Sequence, residues 1–325
     1  MTINVNHKEL SKLVKQYYQK KIALFNWGRF GIGKSMVVCE SAKSIEKDKK
    51  KEFVEWNKVD GNKRDEVVKN PEKYFVFIDI RLSEYDSSDI KGLPEFQEGN
   101  KSIEFRVPIW ALFMENPKSD GILFFDEINL ATPIVISSCY KIIYDRIVNN
   151  SKVGDEWLIM GAGNTSEDRA YTHEVAPPLR DRGGEVELSV PTIDDWTDWA
   201  SKQDIDSRII GFLNFKSSNL WKVDLDDTQK FTTPRGWERV STLIKDVSVN
   251  DMSLICSSAI GEGVASEFVA FCKIQDKIKL EDIIKNPKKI KDLKEVNVKY
   301  FLITAVADKY KSKNIDIKKV MEIST

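Results

Sequence analysis

Gly28-Arg29-Phe30-Gly31-Ile32-Gly33-Lys34-Ser35 fits the pattern G-x-x-x-x-G-K-[ST] at all four fixed positions. Glycines in such a loop let backbone N–H groups approach phosphate oxygens with no side chain in the way. Before the loop runs Ile22–Trp27, a short apolar stretch that reads as a buried strand, and after it Met36–Glu40 reads as the start of a helix. Strand, loop and helix in that order place a phosphate at the partly positive end of a helix. The expected phosphate-binding set is Gly28, Gly31, Ile32, Gly33, Lys34, Ser35 and Met36. Lys34 reaches the outer phosphates of a nucleoside triphosphate, and Ser35 holds Mg²⁺.

Downstream, Tyr74–Ile80 reads as a second strand, Gly121–Glu127 as a third, Trp157–Ala162 as a fourth and Glu185–Val190 as a fifth. The third is almost unbroken in apolar residues, which suits a strand covered on both faces of a parallel sheet. Strands alternating with helices predict an α/β core. A helix is expected over residues 8–20, another from Trp110 to Glu115, and a third opening at Thr132-Pro133. Glu95–Gln97 and Ile103–Val107 around Glu98-Gly99-Asn100 predict a hairpin. After Pro191 the pattern turns helical, over 193–202, 205–215, 234–246, 252–260 and 263–275. A domain boundary is therefore placed near residue 191.

The third strand ends in Asp126-Glu127. Asp126 at that strand end can share the Mg²⁺ with Ser35, and Glu127 can orient and deprotonate a water for attack on the outer phosphate. Asn164 closes the fourth strand, where its amide can hold that water or a phosphate oxygen. Arg180 and Arg182 precede the fifth strand, and Arg235 opens a helix of the second domain. Guanidinium groups stabilise charge on a transferring phosphoryl group, but surface arginines also make ordinary salt bridges, and spacing alone does not choose.

Fifty Lys+Arg against 51 Asp+Glu give a net charge of −1 over 325 residues, so no global charge argues for nucleic acid or an acidic membrane. Cys39, Cys139, Cys256 and Cys272 form no C-x-x-C pair, and His7 and His173 are the only histidines. Free thiols in a reducing compartment are expected, with no zinc site. His173 is expected on the surface. No apolar run reaches membrane-spanning length and the first residues lack a signal-peptide pattern, so a cytoplasmic protein is the expectation.

The order of these motifs resembles AAA+ ATPases, and their wording resembles the MoxR branch. The matching stretches are Leu24–Ser35, Asp79–Pro94, Gly121–Leu130, Gly161–Asp168, Ala176–Arg182 and Thr232–Arg239. The resemblance implies a parallel five-stranded P-loop core over 1–191, with inserted hairpins near 92–108 and 146–156. A helical lid and extension would follow over 192–325. It implies Walker A roles for Lys34 and Ser35, Walker B roles for Asp126 and Glu127, and a sensor role for Asn164. Arg182 would be the finger reaching a neighbouring subunit's nucleotide, with Arg180 as fallback, and Arg235 the lid sensor. It further implies ATP and Mg²⁺ as cofactors and a ring, six-membered in the family. The ring would remodel a protein partner, often one with a von Willebrand factor A domain. Two departures are Arg29-Phe30 where proline is common and Gly183 where phenylalanine usually follows the finger.

Two other readings stand beside this one. Asn164-Thr165-Ser166-Glu167-Asp168 fits N-T-x-x-D and resembles McrB-type GTPases, which would make the chain a nucleic-acid-linked motor. A nucleotide-stabilised scaffold with little turnover is the other, and the intact Asp126-Glu127 pair argues against it.

Overall fold

The apolar run Gly121–Asp126 is buried at every position, as a strand covered on both faces must be. It lies inside a parallel sheet in a computed structural model that describes residues 2–97, 102–165, 173, 181–223 and 231–276. In chain order the first unit contains β1 (Ile3–Val5), α1 (His7–Lys20), β2 (Ala23–Gly28), α2 (Lys34–Lys49), β3 (Glu52–Glu55), α3 (Gly61–Lys69) and β4 (Tyr74–Arg81). Then come α4 (Ser87–Lys91), β5 (Leu93–Phe96), β6 (Ile103–Arg106), α5 (Ile109–Glu115), β7 (Gly121–Asp126) and α6 (Pro133–Asp145). The short pair β8 (Ile147–Val148) and β9 (Ser151–Lys152) leads to β10 (Trp157–Asn164) and β11 (Gly183–Leu188).

Seven strands, not five, form the sheet, in the order β1-β11-β2-β10-β7-β4-β3 and parallel at every pairing. The two extra strands are its edges. An edge strand keeps one side open to solvent, so it carries no long apolar run: β1 has three residues, and β3 reads Glu-Phe-Val-Glu. The antiparallel pairs β5–β6 and β8–β9 stand outside the sheet, where the two hairpins are expected. The turn expected at Glu98-Gly99-Asn100 lies outside the described residues.

One face of the sheet is covered by α3, α5 and α6. There Trp110, Phe113, Ile136 and Cys139 pack with Phe25, Ile78, Leu123 and Phe125. On the opposite face α1 and α2 lie together, with the Tyr18 ring edge-on to Phe75 at 5.6 Å. The start of α1 is set by Asn6 and Glu9, which cap one another reciprocally.

The second unit begins at Pro191. Its helices among the described residues are α7 (Ile193–Ala200), α8 (Ser207–Phe215), α9 (Pro234–Leu243), α10 (Met252–Ile260) and α11 (Glu262–Asp276). They close around Trp237, which is fully buried against Phe212 and Phe268 and donates its indole N–H to the Asn219 carbonyl. No helix among the described residues is long and apolar enough to cross a membrane.

Candidate nucleotide site

Parallel pairing puts the ends of several strands at one edge of the sheet. Asn164 is in register with Gly28, and Asp126 with Arg81, so the glycine loop, Asp126-Glu127 and Asn164 meet there. The loop owes its shape to its glycines, and Gly31 has φ +72°. Gly33 has φ +93°, a conformation that side chains disfavour, and it hands over directly to α2. At Gly28 a Cβ would stand 2.8 Å from the Leu188 carbonyl oxygen. No side chain caps the N-terminus of α2 and its first turn carries no acidic residue, so its N–H groups face the loop with their partial positive charge intact.

Lys34 turns back over the loop. Its ammonium donates to the Gly28 and Arg29 carbonyls at 2.8 and 2.9 Å and to Asn164 Oδ1 at 2.9 Å. These oxygens hold the cation where phosphate oxygens would replace them. The Ser35 hydroxyl donates to Asp126 Oδ2 at 2.5 Å. A hydroxyl and a carboxylate held together are hard oxygen ligands of the kind Mg²⁺ takes when substrate phosphates supply the rest. Among the described residues no group of three or more His, Cys, Asp or Glu side chains forms a complete metal cage. The donor set therefore fits Mg²⁺ carried with a nucleotide, with Ser35 and Asp126 as its protein ligands.

Glu127 sits at φ +56°, unusual for a residue with a side chain, and its own N–H bonds Asp126 Oδ1. Its carboxylate accepts a hydrogen bond from the Ser83 hydroxyl in the turn after β4. Asn164 is held by Asn129: the Asn129 amide donates to the Asn164 carbonyl at 2.8 Å, and the Asn164 N–H returns to Asn129 Oδ1 at 3.0 Å. His7, at the start of α1, places Nε2 2.7 Å from the Ile32 carbonyl and so braces the loop from the other side. Asp79 in β4 shares this corner. Burial, and then the charge of Asp126, raises its carboxyl to about 6.

Ser83, Asn129, His7 and Asp79 were not among the residues expected at the site. Ser83, Asn129 and His7 each act through a contact with a residue distant in the chain, and Asp79 feels the charge of Asp126; no local spacing announces such a pair. For Asn129 a faint signal exists, an amide three residues after Asp126.

The arginines fall differently. Gly183 is in register with Ala23, at the start of β2, whereas Leu188 is in register with Gly28 at its end. Arg182 therefore stands at the edge of the sheet away from its own loop, roughly 17 Å along the strands. There its guanidinium lies over the Tyr144 ring, 5.0 Å from the centroid, and is otherwise exposed. Arg235 is exposed in the first turn of α9, in the second unit. Arg180 and the Ser166–Asp168 part of the N-T-x-x-D stretch lie outside the described residues. His173 is exposed, as expected.

The Asn129–Asn164 pair leaves no room beside it. A Cβ on Gly163 would stand 2.4 Å from the Trp27 ring and 2.6 Å from Asn129 Oδ1. Gly163→Ala is expected to cost about 1–3 kcal/mol of stability. It should also lower nucleotide turnover more than nucleotide affinity, because it displaces Asn164 and not the glycine loop. Urea unfolding and a hydrolysis assay with a parallel binding titration read the two effects.

No family model matches the sequence, and no curated protein matches it either. Solved structures do. RuvB of Thermotoga maritima, as its K64R mutant, is 15% identical over 97% of this chain and 83% of that one, with a TM-score of 0.39. Cdc6p of Pyrobaculum aerophilum is 12% identical over 98% and 77%, with a TM-score of 0.43. A protein of Cytophaga hutchinsonii is 14% identical over 61% of this chain, which spans about half of that one, 51%, at a TM-score of 0.37. All three likenesses lie at or below 15% identity, with TM-scores under 0.5.

Proposed function

We propose that the chain is a Mg²⁺-dependent ATPase of the MoxR-like branch of AAA+ proteins, working as a ring that remodels a protein partner. The observation that carries this reading is a division of labour between the two edges of one sheet. Lys34, Ser35, Asp126, Glu127 and Asn164 gather at one edge, and Arg182 stands exposed at the other. An arginine that cannot reach its own loop supports a role at a neighbour's, and such a role would require an assembly. Within the site Lys34 binds the outer phosphates and Asn164 positions a phosphate oxygen or the attacking water. Glu127, once released from Ser83, takes that water's proton. Ser35 and Asp126 would hold Mg²⁺, which neutralises developing charge on the phosphates. Arg235 of the helical unit is proposed to sense the nucleotide from the lid. A hexamer, a partner with a von Willebrand factor A domain and a cytoplasmic setting belong to this same proposal.

The test is steady-state hydrolysis of ATP and GTP against protein concentration, with wild type, Glu127→Gln and Arg182→Ala. Specific activity is expected to rise with concentration, to favour ATP and to fall by about a hundredfold or more in both variants. Activity that is flat with concentration and indifferent to Arg182 would remove the ring. A GTP preference, or stimulation by DNA, would favour the McrB-like reading. Turnover in Glu127→Gln equal to wild type would leave only the scaffold.

A further inference from the structure

The hairpin β5–β6 is amphipathic, and its apolar face is bare. Gln97 donates its N–H to the Ser102 carbonyl, and the register runs Phe96 with Ile103, Glu95 with Glu104, Pro94 with Phe105 and Leu93 with Arg106. Alternation then puts Glu95, Glu104 and Arg106 on one face together with Leu93, and Arg106 bonds Glu95 there. Pro94, Phe96, Ile103 and Phe105 share the other, with Phe96 and Ile103 exposed at 68% and 57%.

The same register decides where the backbone groups point. Gln97 and Ser102 form a hydrogen-bonded pair, so Glu95–Glu104 and Leu93–Arg106 do too, and the pairs between them turn their N–H and C=O groups outward. On β5 the outward positions are Pro94 and Phe96, and Pro94 has no N–H to offer. On β6 they are Ile103 and Phe105, with both donors and both acceptors intact and no partner among the described residues. One edge of the hairpin is blunted and the other is a free template. Phe105 also lines a groove of about 510 Å³ with Ile134 and Val135 at the start of α6, and Ile134 is 68% exposed.

We infer that β6 is a docking strand for an extended segment of the protein partner, which adds to its free edge and lays alternate apolar side chains beside Phe105 and Ile103. Main-chain bonds supply affinity with little demand on sequence, and the apolar face selects every second residue. This names the class of partner in the remodelling reading and rests on it, but the binding itself needs no turnover.

The test uses the full chain and a fluorescein-labelled peptide of alternating valine and threonine with a lysine at each end, followed by anisotropy without nucleotide. A second peptide carries N-methyl groups on alternate residues, which leaves its side chains in place and removes the N–H groups of one edge. The unmodified peptide is expected to bind, and the methylated one to bind roughly tenfold more weakly or worse, since two or more main-chain bonds are lost. Phe105→Pro, which removes an outward N–H without touching the hairpin's own ladder, should weaken the unmodified peptide by a similar factor. Glu127→Gln should leave binding unchanged. Equal binding of both peptides, or no binding of either, would overturn the inference. Peptide binding in a protein that hydrolyses no nucleotide would instead overturn the ATPase reading and leave the strand-docking site standing.

Discussion

Lys34→Ala is expected to lower affinity for Mg-ATP by roughly a thousandfold, the largest effect of any single substitution at the site. The ammonium donates to three oxygens among the described residues, and in the proposed reading phosphate oxygens would take the place of at least two of them. A hydrogen bond to a charged group contributes about 1.5–3 kcal/mol, so two lost together approach the 4 kcal/mol that a thousandfold requires. The same bonds brace the loop within the protein, so the variant should also melt a few degrees lower without nucleotide. Two measurements separate these effects. Calorimetric titration with the Mg complex of a non-hydrolysable ATP analogue reads the affinity, and thermal melting with and without Mg-ATP reads the linkage. Wild type is expected to gain melting temperature on adding Mg-ATP, and Lys34→Ala to gain none. A gain equal to that of wild type would mean that Lys34 is a brace only and not a phosphate ligand.

What the residues announced and what they hid divide by distance along the chain. The glycine loop, the buried run of β7 and the proline-led start of α6 are local patterns, and each appears where its own few residues place it. The bracing contacts are not local. Ser83 holds Glu127 across 44 residues, Asn129 holds Asn164 across 35, and His7 meets Ile32 across 25. A serine after a strand or a histidine opening a helix looks the same whether or not it has such a partner. The edge strands hid for another reason: β1 is too short to carry a period, and β3 is half polar because half of it is exposed. Arg182 is an intermediate case. Its spacing could not separate a finger from a surface salt bridge. The register of β11 on β2 carries it away from its own loop.

At the opposite edge of the sheet from the loop, Asp120→Ala is expected to destabilise the first unit by about 3 kcal/mol, because it breaks a buried charge cluster from one side. The Asp120 side chain is 1% exposed just before β7. One carboxylate oxygen accepts from the Tyr18 hydroxyl at 2.5 Å, and the other lies 3.0 and 3.1 Å from the ammonium groups of Lys49 and Lys51. Burial works against its charge, yet the Tyr18 hydroxyl and the Lys49 and Lys51 ammonium groups together hold the carboxyl below its usual range. Burial and then Asp120 push the Tyr18 hydroxyl well above its own, so it remains a donor. Because the folded state binds the Asp120 proton less readily than the unfolded chain, this stability is fully present above the unfolded carboxyl value of about 4. It is lost as pH falls through the lower folded value. Urea unfolding from neutral pH into the acid range should therefore show wild type losing a contribution that Asp120→Ala lacks at every pH. The two curves should converge below about pH 4. Adding Tyr18→Phe to Asp120→Ala should recover part of the loss, since it removes a buried hydroxyl left with no acceptor. Curves that stay parallel into acid would mean that packing, not the ionised carboxylate, is what Asp120 contributes. A double variant no more stable than Asp120→Ala would place the loss in the lysine pairs instead of the tyrosine bond.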